Sequence, residues 1–522
     1  MNLCNALLLI SLIQYSCSYN ILVYVLLIGK SHVDFGTMLV NLLADRGHTV
    51  DLMFARMNDK VSGNGTSKAR RIKNFGWEGS GPWSQRAAYL SSFFEPQPLS
   101  LDDISAFYDT TNDLCYLAMS DPSVVEFIKE GNYDLAIATD YEFCPFLLFD
   151  IAKVPSVVSY VPTPLFPWNL YVSGVPTTPK VYASVLDAEH NQGFMHTTWH
   201  LIKSIYLIYY RAPEKNRNQT GVARQFYGPE VKDGYSLAHR TNILFANSNE
   251  LLEKPLPLPH KIKYIGGLNL GEPKPLNAEF DRVLSNAKRG AIVFSFGTQA
   301  PMKFVPFKIR KCFVEAFKRF PDFVIIWKYE KQPDDAELFN NSTNVHPLEW
   351  IPQWDLLNDK RVVGFISHSG LNSFNEASHA GVPMLTVPLF VDQLHNAKNG
   401  ERLGTSILLR KTNITTESVV DCLQKLLFDD RYRNRAKTIS NMLREKPNKG
   451  KETFIEWVEF AAKYGNLHEH LNLPGSLMSP IEYYLIDLAL IDISILVISF
   501  LVLKRILKSV FASSSKEKPK RD

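Results

Sequence analysis

Cysteine is scarce and scattered in this chain: six residues in 522, with no C-x-x-C pair and no metal-type spacing. That pattern argues against a zinc site, and no metal is expected. Cys4 and Cys17 fall in an apolar leader, while Cys115, Cys144, Cys312 and Cys422 stand far apart. These four are expected as buried free thiols, with a disulfide left open if the chain matures in an oxidising compartment. Charge of one sign is lacking too. The net charge is +4, but the tail from Lys504 holds seven basic and two acidic residues, so the rest of the chain is one negative. No basic face follows, and nucleic acid is not an expected partner.

What remains is ordinary globular material, 45% hydrophobic and 21% charged. The length points to two domains of roughly 200–250 residues. Residues 1–18 carry the run ALLLISLI and a small-residue exit, the form of a secretory signal, though no Lys or Arg precedes the run. Sequons at Asn64, Asn218, Asn340, Asn341 and Asn413 agree with exposure in a lumen. Residues 483–503 form a 21-residue apolar stretch, long enough to span a bilayer once. Asp487 and Asp492 sit in its first half, towards one interface. Lys504, Arg505 and Lys508 follow it and place the tail, 504–522, in the cytosol. The closing Lys518-Pro519-Lys520-Arg521-Asp522 resembles a dilysine retrieval signal of the endoplasmic reticulum. The expectation is therefore a single-pass type I membrane protein of that compartment.

Between these ends the strand and helix periods alternate. Asn20–Ile28 reads as a parallel strand buried on both faces. A tight turn, Gly29–His32, leads to a helix from about Val33 to Arg46 with an apolar stripe. Thr49–Phe54 completes a βαβ unit, which sets His32 beyond the carboxyl end of a strand, where open α/β sheets place ligands. The stretch 63–98 reads as long loops. Tyr133–Thr139 and Val154–Val161 read as strands, Thr197–Tyr210 as an aromatic-rich helix, either membrane-contacting or, the expected case, packed in the core, and Asn242–Asn247 as the last strand of a first domain, 19–253. A proline-rich linker, 254–280, precedes a second domain, 281–465, opened by the strand Ala291–Phe296 and the small-residue turn Gly297-Thr298. Leu423–Leu443 and Lys451–Tyr464 read as helices, and 466–482 is juxtamembrane. No internal repeat is visible beyond the two similar α/β halves.

The most informative stretch is Trp350–Gln393. Arg361–His368 is a β-branched run that gives way to Ser369, Gly370, Leu371, Asn372 and Ser373, then to a helix-like segment ending at Gly381. Small residues between strand and helix admit a ligand close to the backbone, and the helix end favours an anion such as phosphate. Glu376, one turn in, would repel phosphate but accept bonds from sugar hydroxyls. A second strand ends in Asp392-Gln393, and Trp350 and Gln353 upstream offer a flat ring and an amide. Together they suit a nucleotide diphosphate-sugar.

The spaced pattern W-x-P-Q, H-x-G-x-N-x-x-x-E-A, G-V-P-M and P-L-F-x-D-Q closely resembles the signature of the UDP-glycosyltransferases, the membrane-bound glucuronosyl- and glucosyltransferases. The resemblance covers nearly the whole chain. It implies two facing Rossmann-like α/β domains (the GT-B fold) plus one C-terminal transmembrane helix. The absence of any D-x-D pair agrees with donor binding by helix ends rather than by a metal. By resemblance Trp350 stacks on uracil and Gln353 bonds the uridine. Ser367, His368, Gly370, Asn372 and Ser373 hold the diphosphate, with Gly297 and Thr298 facing it. Glu376 takes the ribose hydroxyls, and Asp392 with Gln393 binds the transferred sugar. The chain departs from the family at Ser369, where a glycine is usual.

The same resemblance makes His32 the general base, since it stands in G-x-S-H before a helix. The UDP-sugar is a co-substrate and no cofactor is implied. The acceptor is a small lipophilic alcohol, phenol or acid, and a homo-oligomer is left open. In the family a carboxylate supports the base from the strand matching YDLAIATD. Aligned without a gap that position is Thr139, with Asp140 one residue late, so Asp140 is the expected partner and Glu142 the reserve. Two rivals stand beside this reading: a catalytically decayed UDP-sugar-binding protein, and a lipid or sterol glycosyltransferase of biosynthesis.

Overall fold

The computed structural model describes residues 18–514, apart from 59–60, 62–64, 80, 83–93, 95–100, 176–192, 298–299, 301, 336 and 341. The leader, Thr298, the sequons Asn64 and Asn341, and the tail end from residue 515 therefore lie outside the described residues.

Two separate parallel sheets carry the architecture. The first holds β1 (Asn20–Leu27), β2 (Thr49–Arg56), β3 (Ile72–Gly76), β4 (Leu135–Thr139), β5 (Val157–Val161), β6 (Leu244–Ala246) and β7 (Ile262–Tyr264), in the order β3-β2-β1-β4-β5-β6-β7. The second holds β8 (Gly290–Ser295), β9 (Phe323–Lys328), β10 (Val345–Leu348), β11 (Val362–Ser367), β12 (Met384–Thr386) and β13 (Ser406–Leu408), in the order β10-β9-β8-β11-β12-β13. In each, helices cover both faces, so central strands have no wet side; seven of the eight residues of β1 are buried. The expected α/β architecture of two such halves is what the chain adopts.

Among the helices are α1 (Lys30–Asp45), α2 (Leu371–Ala380), α3 (Gln393–Leu403), α4 (Gly450–Tyr464) and α5 (Ile486–Ser514). Helix α1 begins at Lys30, so His32 sits in its first turn rather than in a turn before it. Its Phe35, Leu39 and Leu43 pack on Val23, Val25 and Ile137. Truncating such a fully buried leucine to alanine costs about 2–5 kcal/mol.

Several elements differ from the sequence reading. Strand β3 lies in the stretch expected as loops, and β7 comes from within the proline-rich linker, so β6 is not the last strand of its sheet. Helix α4 follows the second half in sequence but packs on the first. Phe454, Val458 and Ala461 join the core of β1 and β6, and Ser156 Oγ donates to the Ala461 carbonyl at 2.8 Å. The stretch read as one helix, Leu423–Leu443, breaks at Asp429, whose carboxylate caps the second helix through the Arg431 N–H. The aromatic helix read as core, Gly193–Tyr206, instead exposes Met195, Trp199, Ile202 and Ile205.

Cysteine is a further correction. Cys115 and Cys144 form a disulfide, while Cys312 and Cys422 are free. Cys115 lies in the helix Leu101–Ser120 and Cys144 opens the helix after β4, with Cα atoms 5.5 Å apart. Sequence separation hid a proximity that the sheet order creates. The Cys115→Ser/Cys144→Ser double variant is expected to lose about 2–4 kcal/mol of stability in denaturant unfolding. Alkylation of the non-reduced chain should label Cys312 and Cys422 and spare the other two, which mass mapping checks.

Candidate active site

In a parallel sheet every carboxyl end lies on one edge, so loops from that edge of both sheets can meet. Here they do. Asn247, just past β6, donates from Nδ2 to Asn372 Oδ1 at 3.2 Å, and Asn375 Nδ2 donates to the Asn247 carbonyl at 3.3 Å. The end of the first sheet is thereby joined to the first turns of α2 in the second.

On the second side the sequence-derived residues cluster. Gln353 Nε2 donates to Ser373 Oγ at 3.1 Å and also to Glu376 Oε2. Burial pushes the Glu376 carboxyl up to about 7, against the Gln353 bond. Trp350 is 69% exposed. Helix α2 has no side-chain cap on its N-terminus, so its first N–H groups are free for an anion. His368 stands between Gly297 and Gly370. A Cβ at either glycine would lie 2.7 or 2.6 Å from the imidazole, so side chains there are excluded. Burial drives the His368 ring down to about 4, leaving it neutral. Ser369 pays for its missing glycine with a left-handed backbone, φ 62°, a conformation costing about 1 kcal/mol or more in a non-glycine residue. Its N–H donates to Ser367 Oγ at 3.0 Å. Asp392, half-buried, is raised by loss of solvent, while Asn396 Nδ2 donates to it at 2.9 Å. Gln393 turns its Oε1 to the Leu389 and Phe390 N–H groups, at 2.8 and 3.2 Å, and so braces the loop.

Sequence reasoning missed Lys328, Asn247 and Asn375. Lys328 closes β9 and places Nζ 5.0 Å from the Trp350 ring centre and 3.4 Å from the Gly297 carbonyl, a cation between the exposed ring and the small-residue turn. The signal was a basic residue ending the apolar run FVIIWK.

On the first side, the His32 ring packs at 5.8 Å against Tyr141. Burial chiefly raises the Tyr141 phenol; its bond to Thr163 opposes, and the Asp392 carboxylate across the crevice adds to the rise. Tyr141 thus packs on His32 and feels the charge of Asp392 from the other half. Burial alone lowers His32 to about 4, and its Nδ1 is buried without a hydrogen-bond partner.

The expected His32–Asp140 pair does not form. Register Val23↔Ile137 sends Leu135, Ile137 and Thr139 to the α1 face, and Asp140 to the other. Asp140 accepts from Asn169 Nδ2 at 3.0 Å and feels Lys261 and Lys215, though burial still pushes it up to about 6. Glu142, in reserve, accepts from the Tyr24 hydroxyl at 2.8 Å. Thr139 keeps the α1-facing position with its hydroxyl buried and unpartnered.

Known proteins identify the family and the fold. The family model described as "UDP-glucoronosyl and UDP-glucosyl transferase" matches residues 81–520. The chain belongs to that family. UDP-glucosyltransferase 2 of Dactylopius coccus is 27% identical over 95% of this chain and 94% of its own length. Human UDP-glucuronosyltransferase 1A8 is 25% identical over 78% of this chain and 74% of its own. Among solved structures the glycotransferase of kitacinnamycin superposes with TM-score 0.60 at 16% identity, covering 85% of this chain and all but 1% of that one. That likeness shows the GT-B fold. The transferase is therefore a UDP-sugar-dependent hexosyltransferase, with both halves of its fold in place.

Because the fold disfavours protonated His32, its contribution to stability is complete above the ordinary value of 6.5 and is lost as pH falls towards about 4. An NMR titration of the ring should show its midpoint near 4; a midpoint at 6.5 would show a solvated imidazole.

Proposed function

We propose that this transferase moves a glucuronosyl or glucosyl group from the UDP-sugar to a hydroxyl or carboxyl of a small lipophilic acceptor, with inversion, and that His32 is its base. The observation that carries the reading is that the carboxyl edges of the two sheets meet through Asn247, Asn372 and Asn375, with His32 packed on Tyr141 at the first edge. Trp350 and Gln353 would take the uridine and Glu376 the ribose hydroxyls. The α2 N-terminus, with Ser367, His368, Gly297, Gly370, Asn372 and Ser373, would face the diphosphate, and Asp392 with Gln393 the sugar. Lys328 adds a positive charge where the leaving diphosphate develops negative charge.

In the reaction the acceptor oxygen gives its proton to His32 Nε2 and attacks the anomeric carbon. The bond from that carbon to the diphosphate oxygen breaks, and UDP leaves with the electron pair. A ring neutral at working pH is the form a base needs. It acts without a carboxylate behind it, since Asp140 is turned to Asn169 and the two lysines. We assign Asp140 to holding the loop 140–142 beside the acceptor rather than to the ring.

The membrane part of the proposal is a single-pass type I anchor of the endoplasmic reticulum, with the catalytic halves lumenal. Within Ile486–Phe511 of α5 an 18-residue window has mean hydropathy 2.5 and none of it is buried, so the helix is long and apolar enough to cross a bilayer. Tyr484, just before α5, interacts with Tyr209, which continues from the exposed apolar face of Gly193–Tyr206. A surface suited to lipid thus adjoins the anchor.

The test is transfer to a phenol panel by the membrane-reconstituted chain, offered UDP-glucuronate and UDP-glucose. His32→Ala should lose about 100-fold or more in turnover while UDP still binds, and near-normal turnover would remove His32 as the base. Glu376→Ala should weaken UDP binding about tenfold or more, as loss of a charged hydrogen bond does; unchanged affinity would remove its ribose role.

A further inference from the structure

A buried ion pair ties the two halves together one turn from the proposed sugar site. His395 Nε2 lies 2.7 Å from Glu253 Oε2, with the side chains 15% and 10% exposed. Glu253 belongs to the loop leaving β6 of the first sheet, and His395 to the first turn of α3 in the second half. The carboxylate is fully engaged: Asn399 Nδ2 also donates to Oε2 at 2.9 Å, and Ser248 Oγ to Oε1 at 3.0 Å. Next to His395, Asn396 Nδ2 bridges the Asp392 carboxylate at 2.9 Å and the Ser369 carbonyl at 3.0 Å. The pair therefore holds the turn that carries Asp392 and braces the loop after β11. Neither residue belongs to the motifs by which the family is recognised here, and neither has a place in the reaction as derived.

We propose that Glu253 and His395 are positioning residues, an ionised clasp that seats Asp392 against the donor sugar and makes sugar-nucleotide affinity depend on pH. This rests on the donor-site reading above. Burial alone would lower the His395 imidazole; the Glu253 charge and hydrogen bond, then Asp392, more than reverse this and leave it raised. Burial would raise Glu253, and His395, Ser248 and Asn399 bring it below its ordinary value. Other charges facing the pair are Lys254 beside Glu253, which opposes the His395 charge, and Arg402 on α3, which interacts with Glu253. The sign follows. The clasp holds the His395 proton beyond its ordinary value and loses it as pH rises through that raised value, while Glu253 stays ionised. A neutral imidazole against the Glu253 carboxylate grips less, and two halves that separate at Glu253 carry Asp392 away from the sugar.

The experiment is initial-rate kinetics and calorimetric binding on the full chain in lipid, from about pH 6 to about pH 9, with UDP-glucose, UDP-glucuronate and UDP alone as probes. For the wild type, KM for the UDP-sugar should rise severalfold across the range. Glu253→Gln and His395→Asn should each raise it about tenfold at neutral pH, change kcat less, and flatten the pH dependence. UDP alone, which has no sugar for Asp392, should respond least. Thermal unfolding identifies a variant that fails to fold, and His395→Gln then serves in place of His395→Asn. Variants that keep the wild-type pH slope, or that lose kcat while KM stays fixed, would overturn the clasp. A wild-type chain that binds UDP but shows no pH dependence for either sugar nucleotide would overturn it too, leaving the donor site standing. No UDP binding at any pH would overturn both.

Discussion

Everything in this molecule depends on two parallel sheets turning the same edge, the carboxyl ends of their strands, towards one crevice. Parallel pairing puts all the loops that follow strands on that edge, so residues far apart in sequence arrive together without any local signal. Asn247 after β6 meets Asn372 and Asn375 on α2, and Tyr141 after β4 comes within electrostatic reach of Asp392. Helix α4 secures the arrangement from behind, because it leaves the second half and completes the core of the first. The chain order is not the packing order. That crossing makes the relative position of the halves a property of the fold.

The electrostatics of the crevice come mainly from burial rather than from paired charges. His32 and His368 are both driven to about 4, so two imidazoles face the site neutral. Glu376 and Asp392 are raised by the same cause and meet their neighbours through amides. Low polarity of this kind strengthens each hydrogen bond made to a ligand and leaves unpartnered atoms expensive. The unpartnered Nδ1 of His32 and the hydroxyl of Thr139 are such atoms. A base of low intrinsic pKa is always ready to accept a proton but pulls on it less.

Much of this was legible before any coordinates. The layout of the second half could be read because Trp350, Gln353, Glu376 and Asp392, the candidate donor residues, all sit in one spaced stretch whose strands and helices follow from hydrophobic period. The glycine departure at Ser369 was visible too, though its left-handed backbone was not. What stayed hidden was set by three-dimensional register. The parity of β4 sends Asp140 to the face away from α1, and no local pattern fixes that parity at a strand's end. The Cys115–Cys144 bond needed two helices brought together by the sheet order. A helix with aromatics on every side read as core, because apolar composition does not say what covers it; its Met195 and Trp199 are exposed. Lys328 escaped because a single lysine closing a strand has no spacing to mark it.

The most direct measurement is a crystal structure of the full chain with an intact UDP-sugar bound. The account predicts the uracil on Trp350, the diphosphate at the start of α2, and the anomeric carbon open towards His32 Nε2, with space between them for one acceptor hydroxyl. A donor seated in the second half with its anomeric carbon walled off from His32, or with the ring of His32 turned from the crevice, would contradict it.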